Sequence, residues 1–163
     1  MMERISKINY YLDIAQTVAE RSTCLRKAFG AIIVKNDVIV STGYNGAPRG
    51  RKNCCDLGWC MREELKIPRG ERYELCRSVH AEANAIIAAP REQMLGSTLY
   101  MTCILPTDRS LVPGTCSCMM CKKQILNAGI ETVIIRDTPT EYRIIPTADW
   151  ITDDDSLSGK FGY

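Results

Sequence analysis

The chain has 163 residues and a mass of 18.3 kDa, a length typical of one domain. Its composition is 45% hydrophobic and 25% charged, which is that of a globular protein and not of a disordered one. The net charge of +2 is too small to predict nucleic-acid binding, and no apolar run is long enough to span a bilayer. The N-terminal residues carry charges where a signal peptide needs an apolar core, so we expect a cytoplasmic protein that binds neither nucleic acid nor membrane.

Nine cysteines and a single histidine, His80, are the unusual features of this composition. Disulfides are rare in reducing compartments, so these cysteines are expected to be metal ligands or reactive thiols. A single histidine excludes a three-histidine zinc site and an HExxH protease site. Any metal site in the chain is therefore expected to be rich in thiolates.

The first part of the chain predicts a helix followed by a β-hairpin. Apolar residues recur at helical spacing over residues 5–19. The β-rich runs 28–34 and 38–42 are joined by Lys35-Asn36-Asp37, which is typical of a hairpin turn. Residues 43–50 (GYNGAPRG) predict a loop, and the chain from there to Arg77 is polar, irregular and dotted with cysteines.

The second part alternates between helices and strands. Ser78 is a candidate cap for the helix VHAEANAIIAA, and a strand is expected over 97–102. Residues 103–117 predict a loop or hairpin, CMMCKKQILNA a helix that Gly129 ends, and 131–136 a buried strand. This order predicts a single domain, residues 1–163, in which a mixed sheet is covered by helices on both faces.

Three short pieces of sequence supply a metal site with a nearby acid. His80 stands at the start of one predicted helix, and Cys118 and Cys121 form a Cys-x-x-Cys pair at the start of another. One imidazole and two thiolates leave a fourth position for water, which is the coordination of a catalytic zinc. Glu82 can point into the same cavity and move protons without binding the metal. Helix caps and first-turn glutamates are common individually, but this combination predicts a zinc enzyme.

The sequence resembles the zinc-dependent cytidine and deoxycytidylate deaminases, whose signature is H-x-E followed by P-C-x-x-C. Segments 21–50, 74–86 and 118–130 look like the deoxycytidylate branch, and GYNG at 43–46 is the most telling piece. The resemblance implies a three-layer α/β/α cytidine-deaminase-like fold with a central mixed sheet. It also implies a homo-oligomeric enzyme that binds one catalytic zinc ion.

The activity that the resemblance implies is hydrolysis of dCMP to dUMP and ammonia. In the resembling enzymes the counterpart of Glu82 protonates the ring nitrogen and carries a proton to the leaving amine. Ala81 is expected to contact the substrate. Asn45 is expected to contact the sugar, since an amide offers both a donor and an acceptor, although Asn45-Gly46 is also typical of a simple turn.

Hydroxyl and basic side chains just before the first strand predict a site for the 5′-phosphate of the nucleotide. Ser22, Arg26 and Lys27 form this cluster, although charges beside a strand are also common on solvated surfaces. A second basic group, at residues 49–52, is the alternative site for the phosphate or for a nucleotide effector.

Two departures from the family pattern leave the substrate open. Ser117 replaces the family's proline before the first cysteine, and residues 105–115 resemble an insertion at the mouth of the pocket. Deaminases of cytidine, CMP or a riboflavin-pathway pyrimidine are therefore alternatives. A non-catalytic zinc module is another, with Cys116 closing the fourth coordination position. A nucleic-acid deaminase is disfavoured by the low net charge and the aromatic content of 7%.

The remaining cysteines predict a second, structural zinc site. Four thiolates from separated segments could close tetrahedrally on one ion and keep the polar stretch ordered. Relatives have histidines among the ligands here, whereas this chain has no spare histidine, so its site would be all-cysteine. Ordinary buried or loop thiols are the alternative. The expected ligands are Cys24, Cys54, Cys60 and Cys76, with Cys55 as a substitute for Cys54.

Overall fold

The computed structural model describes residues 1–159, and this part of the chain forms a five-stranded sheet with helices on both faces. The last four residues of the predicted domain, 160–163, lie outside the described residues. The strands are β1 (Ala28–Lys35), β2 (Val38–Tyr44), β3 (Thr98–Ile104), β4 (Thr132–Arg136) and β5 (Tyr142–Pro146). The helices are α1 (Lys7–Ala19), α2 (Cys54–Leu57), α3 (Met61–Glu64), α4 (Ala81–Ile87), α5 (Arg91–Met94), α6 (Met119–Ala128) and α7 (Asp149–Thr152), with 3₁₀ turns at Tyr73–Leu75 and Asp155–Leu157.

The sheet is mixed, as the sequence predicts. Its strand order is β2-β1-β3-β4-β5, in which β3 and β4 are parallel and every other pair is antiparallel. A parallel pair needs a long crossover, and α6 lies in the one that joins β3 to β4. In the predicted hairpin, Asn36 and Asp37 have φ values of 50° and 62°, which are those of a type I′ turn.

Different helices cover the two faces of the sheet, because successive side chains of a strand point to opposite faces. Ile32 of β1 belongs to the core cluster that includes Leu12 of α1. Its neighbour Ile33 belongs to the cluster on the other face, with Ala85 of α4 and Ile125 of α6. All five side chains are fully buried, and burial of each large apolar one stabilises the fold by about 1.5–3 kcal/mol. The predicted three layers are confirmed.

A glycine in β2 brings α4 unusually close to the sheet. A Cβ atom on Gly43 would lie 2.4 Å from both the Ala81 carbonyl oxygen and the Ala85 backbone nitrogen. Any larger residue would push the helix away, since real Cβ atoms do not approach backbone atoms this closely. Gly43 therefore fixes the position of the first turn of α4, which carries the predicted catalytic residue.

The structure corrects the predicted helix cap. His80, and not Ser78, is the N-cap of α4, and the Ser78 hydroxyl has no hydrogen-bond partner among the described residues. The reason is a two-way backbone bridge in which the Gly46 and Val79 amides donate to each other's carbonyls at 3.1 and 2.7 Å. This bridge holds Val79 extended, so the helix begins after His80.

The structure also differs from the sequence prediction in the length of one strand and in the number of helices and strands. Strand β2 continues to Tyr44, beyond the predicted end at residue 42, and the polar stretch contains α2, α3 and the first 3₁₀ turn. Strand β5 was not predicted because it is a half-exposed edge strand without a continuous buried run. No helix within residues 1–159 is both long enough and apolar enough to span a membrane.

Candidate active site

Two helix N-termini on the same face of the sheet bring the predicted metal ligands together. His80 is the N-cap of α4, Cys118 is the N-cap of α6, and the two helices contact each other. The His80 Nδ1 atom lies 3.4 Å from the Sγ atoms of both Cys118 and Cys121. Within residues 1–159 these three side chains form the one group of potential metal ligands whose donor atoms all lie within 4.8 Å of one another.

The donor set fits a zinc ion. A zinc ion has bonds of about 2.0–2.1 Å to imidazole nitrogen and about 2.3 Å to sulfur, which places these donors about 3.5 Å apart in a tetrahedron. The observed 3.4 Å separations agree with this spacing. Cys116, which would close the site in a non-catalytic module, is not a member of the group. Three ligands and an open fourth position are therefore what the described residues provide.

These side chains share protons before a metal binds. Burial would lower the pKa of His80, but hydrogen bonds with Cys118 and Cys76 outweigh it and raise that pKa to about 10. A hydrogen bond from Cys121 lowers the pKa of Cys118 to about 4, and the same bond raises the pKa of Cys121. At neutral pH the group therefore contains an imidazolium, one thiolate and one thiol, and zinc must displace two protons to bind.

Glu82 lies in the first turn of α4, beside the three ligands. Its side chain is buried, with 4% of the residue exposed, and it lies next to Cys121. Burial raises the pKa of the Glu82 carboxyl, which the charge of His80 only partly offsets. A carboxyl group with a raised pKa can both accept and return a proton near neutral pH, which is the property of a general acid–base.

One cavity connects this group to the predicted substrate-binding residues. His80, Ala81, Glu82 and Cys118 all line it. The other predicted contacts that line the cavity are Asn45, Arg26 and Lys27. Of the inserted residues 105–115, Thr115 lines this cavity, while 106–110 are exposed and do not.

Asn45 is held by three hydrogen bonds. Its Oδ1 accepts from the Ser22 hydroxyl at 2.6 Å and from the Phe29 amide at 2.9 Å, and its Nδ2 donates to the Lys27 carbonyl at 2.9 Å. One amide hydrogen remains for a ligand. Ser22 is not part of the cavity lining, and its hydroxyl is used to orient Asn45. The structure thus places Ser22 behind Asn45 instead of beside the predicted phosphate.

The two predicted phosphate contacts differ in their surroundings. The Nε atom of Arg26 lies 3.1 Å from Oε1 of Glu63, and both side chains are largely exposed. Lys27 is half-buried, and burial together with the positive charge of Arg69 lowers its pKa. The alternative basic group at 49–52 does not line the cavity.

The four cysteines expected to bind a second zinc are neighbours without being a compact cluster. Burial, and then the proximity of the thiols of Cys24, Cys60 and Cys76, raises the pKa of Cys54. In the described part of the chain, no three of these sulfurs all lie within 4.8 Å of one another. Cys24, Cys60 and Cys76 line the main cavity, whereas Cys54 does not.

Among the lining residues that were not predicted from the sequence are three of the irregular stretch: Arg62, Arg69 and Tyr73. They belong to the irregular stretch, where neither spacing nor a motif distinguishes them from solvated surface. The guanidinium carbon of Arg62 lies 4.3 Å from the centre of the Tyr73 ring, and that ring meets the His80 imidazole edge-on at 5.4 Å.

Comparison with known proteins agrees with this geometry. The sequence profile described as "Cytidine and deoxycytidylate deaminase zinc-binding region" matches residues 5–136. The chain belongs to the cytidine and deoxycytidylate deaminase family. The match includes His80, Glu82 and the Cys118–Cys121 pair, so the predicted family is confirmed.

Individual relatives of this family member are similar over most of its length. The deoxycytidylate deaminase of Mycobacterium phage D29 is 37% identical over 138 residues, covering 82% of this chain and 96% of the relative. The deoxycytidylate deaminase of Schizosaccharomyces pombe is 32% identical over 126 residues, but the match covers 35% of that longer protein and 77% of this chain.

A solved structure supports the fold. The dCMP deaminase of cyanophage S-TIM5 in apo form has a TM-score of 0.57 and 27% identity, covering 83% of this chain and 86% of its own. The complex of that cyanophage enzyme with dCMP and dUMP is similar, with a TM-score of 0.53 and 26% identity. The cytidine deaminase of Burkholderia pseudomallei shares the fold, with a TM-score of 0.57 and 17% identity.

Proposed function

We propose that this chain, as a single deaminase domain, catalyses the hydrolysis of dCMP to dUMP and ammonia. The observation that carries the proposal is one cavity lined at once by the His80 metal group, by Glu82 and by the cations Arg26 and Lys27. The relatives named deoxycytidylate deaminase support the choice of substrate. A cavity that holds the metal group and Glu82 together with two cations suits a cytosine nucleotide, which has a ring to be deaminated and a 5′-phosphate to be bound.

Glu82 would move the protons of this reaction. Zinc held by His80, Cys118 and Cys121 would supply the Lewis acidity that makes water a nucleophile near neutral pH. Glu82 would accept a proton from the attacking water and protonate the ring nitrogen N3. It would then carry a proton to the 4-amino group, so that the carbon–nitrogen bond breaks and ammonia leaves. The buried position of Glu82 supports this role, because burial keeps its pKa above the usual range.

Binding and orientation of the nucleotide would fall to the other lining residues. Ala81 stands between His80 and Glu82 in the sequence, and its backbone would contact the cytosine ring of the substrate. Asn45 would give its remaining amide hydrogen to the sugar, and Arg26 and Lys27 would bind the 5′-phosphate. Ser22 would support Asn45 and leave the phosphate to these cations.

The substrate assignment is tested by comparing ammonia release from dCMP, CMP, deoxycytidine, cytidine and the riboflavin-pathway pyrimidine. We expect the highest kcat/KM for dCMP, with deoxycytidine well below it, because the nucleoside lacks the group that the cations bind. A higher value for any of the other four compounds would replace dCMP as the substrate. An inactive zinc-loaded protein would favour the non-catalytic zinc module.

A second, structural zinc held by Cys24, Cys54, Cys60 and Cys76 belongs to the same proposal. The proximity of the four thiols supports it, as does the Arg26 backbone amide, which donates to the Cys24 sulfur at 3.4 Å. The side chains would have to rotate to reach bonding distance. Metal analysis should give two zinc ions per chain, falling to one in Cys60→Ser with part of the activity kept. One zinc ion in the native protein would refute the site.

The cellular compartment and the oligomeric state of the enzyme are also part of the proposal. All nine cysteines are unpaired in the structure, which supports a reducing compartment, and we propose the cytoplasm. We also propose a homo-oligomer, supported by the family resemblance. Light scattering that gives the mass of a monomer at micromolar concentration would contradict the oligomer.

A further inference from the structure

A short turn in the irregular stretch lies at the cavity, although no motif marks it. Its residues are Pro68, Arg69, Gly70 and Glu71, and the Glu71 amide donates to the Pro68 carbonyl at 3.3 Å. Gly70 has φ of 85°, the left-handed conformation that a type II turn requires at its third position. Arg69 is therefore the second residue of the turn, and it lines the same cavity as Glu82.

The turn is fixed by a buried arginine. The Nη2 atom of Arg62 donates to the carbonyls of Pro68 and Glu71, at 2.9 and 2.8 Å, and so bridges the two ends of the turn. Arg62 is 6% exposed, and its guanidinium lies over the Tyr73 ring. Because Nη2 holds both ends of the turn, Arg62 fixes the position of Arg69, while the Nε atom of Arg62 is buried and has no hydrogen-bond partner among residues 1–159.

The charges around Arg69 are not balanced. Arg26 is paired with Glu63, but Lys27 and Arg69 have no acidic partner within 4 Å among residues 1–159. Burial and the charge of Arg69 lower the pKa of Lys27, so the two cations are close enough to repel each other. Two unpaired positive charges match a phosphate monoester, which carries about −1.5 to −2 at pH 7.

We propose that Arg69 is a third cation of the phosphate site, binding the 5′-phosphate of the nucleotide together with Lys27 and Arg26. Arg62 is its positioning residue. This inference rests on the proposed function and adds to it a specificity determinant in the irregular stretch, apart from the Arg26–Lys27 cluster before β1. An arginine suits this role because its planar fork of N–H groups matches two phosphate oxygens.

The test compares dCMP with deoxycytidine in Arg69→Ala, with Arg72→Ala as the matched control. Arg72 lies three residues away in the same stretch, is exposed, pairs with Glu74 at 2.6 Å and does not line the cavity. Arg69→Ala should lower kcat/KM for dCMP by about 10- to 100-fold, which is the loss of one or two charge-assisted hydrogen bonds. Kinetics with deoxycytidine, followed both as substrate and as competitor, should not change. Arg72→Ala should change kcat/KM by less than twofold for dCMP and for deoxycytidine.

Two results would overturn the inference: a loss below threefold for dCMP in Arg69→Ala, or an equal loss for dCMP and deoxycytidine. Failure of the proposed function looks different, because the wild-type protein itself would then show no preference for dCMP. For Arg62, the variant Arg62→Lys should raise KM for dCMP and leave KM for deoxycytidine unchanged, whatever unfolding temperature is lost with its two hydrogen bonds to the turn. A lower unfolding temperature with an unchanged KM would reduce Arg62 to a structural residue.

Discussion

The metal group and the irregular wall that contacts it are built in contrasting ways. His80 and Cys118 are N-caps of helices that pack on the sheet, and Gly43 lets one of these helices approach closely. The wall formed by residues 51–77 has two four-residue helices and one 3₁₀ turn, held by contacts such as those of Arg62. The proposed proton chemistry therefore lies on rigid elements, whereas Arg69, the proposed specificity determinant, lies on a segment with little core of its own.

This contrast predicts that changes in the metal group abolish turnover, whereas changes in the wall alter the preference between substrates. The first depends on the exact positions of a few buried atoms. The second depends on exposed charges whose individual contributions are modest.

The largest effect is expected for Glu82→Gln. The amide cannot accept and return protons, so kcat should fall by about 10²–10⁴-fold while zinc stays bound. Steady-state rates and metal analysis of the same preparation measure both. Glu92→Gln, an exposed first-turn residue of α5, is the matched control and should keep full activity. More than a few per cent of residual activity in Glu82→Gln would refute the proton shuttle.

Zinc binding should depend steeply on pH. With the pKa of His80 near 10, that of Cys118 near 4 and that of Cys121 raised, two protons leave when zinc binds at neutral pH. The association constant should therefore fall by about a hundredfold for each unit of acidification across this range. Competition with a chelator at several pH values measures the slope. A slope that corresponds to the release of one proton per zinc ion would show that the imidazole is already neutral. The control is Cys116→Ser, outside the ligand group, which should leave the slope unchanged.

A smaller effect is expected for Arg26→Ala, just before β1, where the side chain pairs with Glu63 of the wall. Loss of one exposed cation should raise KM for dCMP about tenfold and leave deoxycytidine turnover unaffected. Arg51→Ala is the control, because residues 49–52 do not line the cavity. An equal or larger effect of Arg51→Ala would instead place the phosphate at the second basic group.

The smallest effect on the choice between substrates is expected at the packing contact under α4, because Gly43 lies outside the cavity lining. Gly43→Ala should reduce the free energy of unfolding by about 1–3 kcal/mol, because its Cβ would overlap the backbone of α4. It should also lower kcat, since the helix carries His80 and Glu82. Thermal unfolding and rates measure the two effects. Thr42→Ala, at an exposed neighbouring position, should alter neither, and an equally stable and active Gly43→Ala would show that α4 need not lie this close.

The residues of the metal group could be predicted from the sequence, whereas those of the irregular wall could not. His80, Glu82, Cys118 and Cys121 could be recognised because their spacing is local and places them at predicted helix starts. The cap at Ser78 was predicted wrongly, since the bridge between Gly46 and Val79 depends on a segment more than thirty residues away. Long-range pairing of this kind leaves no periodic trace in a sequence.

The sequence by itself determined the alternation of helices and strands, the zinc donor set and the acid beside it, because each depends on side-chain period or on residues a few positions apart. Only the tertiary structure decided that Ser22 supports Asn45, that Glu63 pairs with Arg26, and that Arg69 reaches the cavity. These contacts join segments that are distant in the chain. They arise from the packing of the irregular wall against the sheet, and their residue types are the same ones that cover any solvated surface.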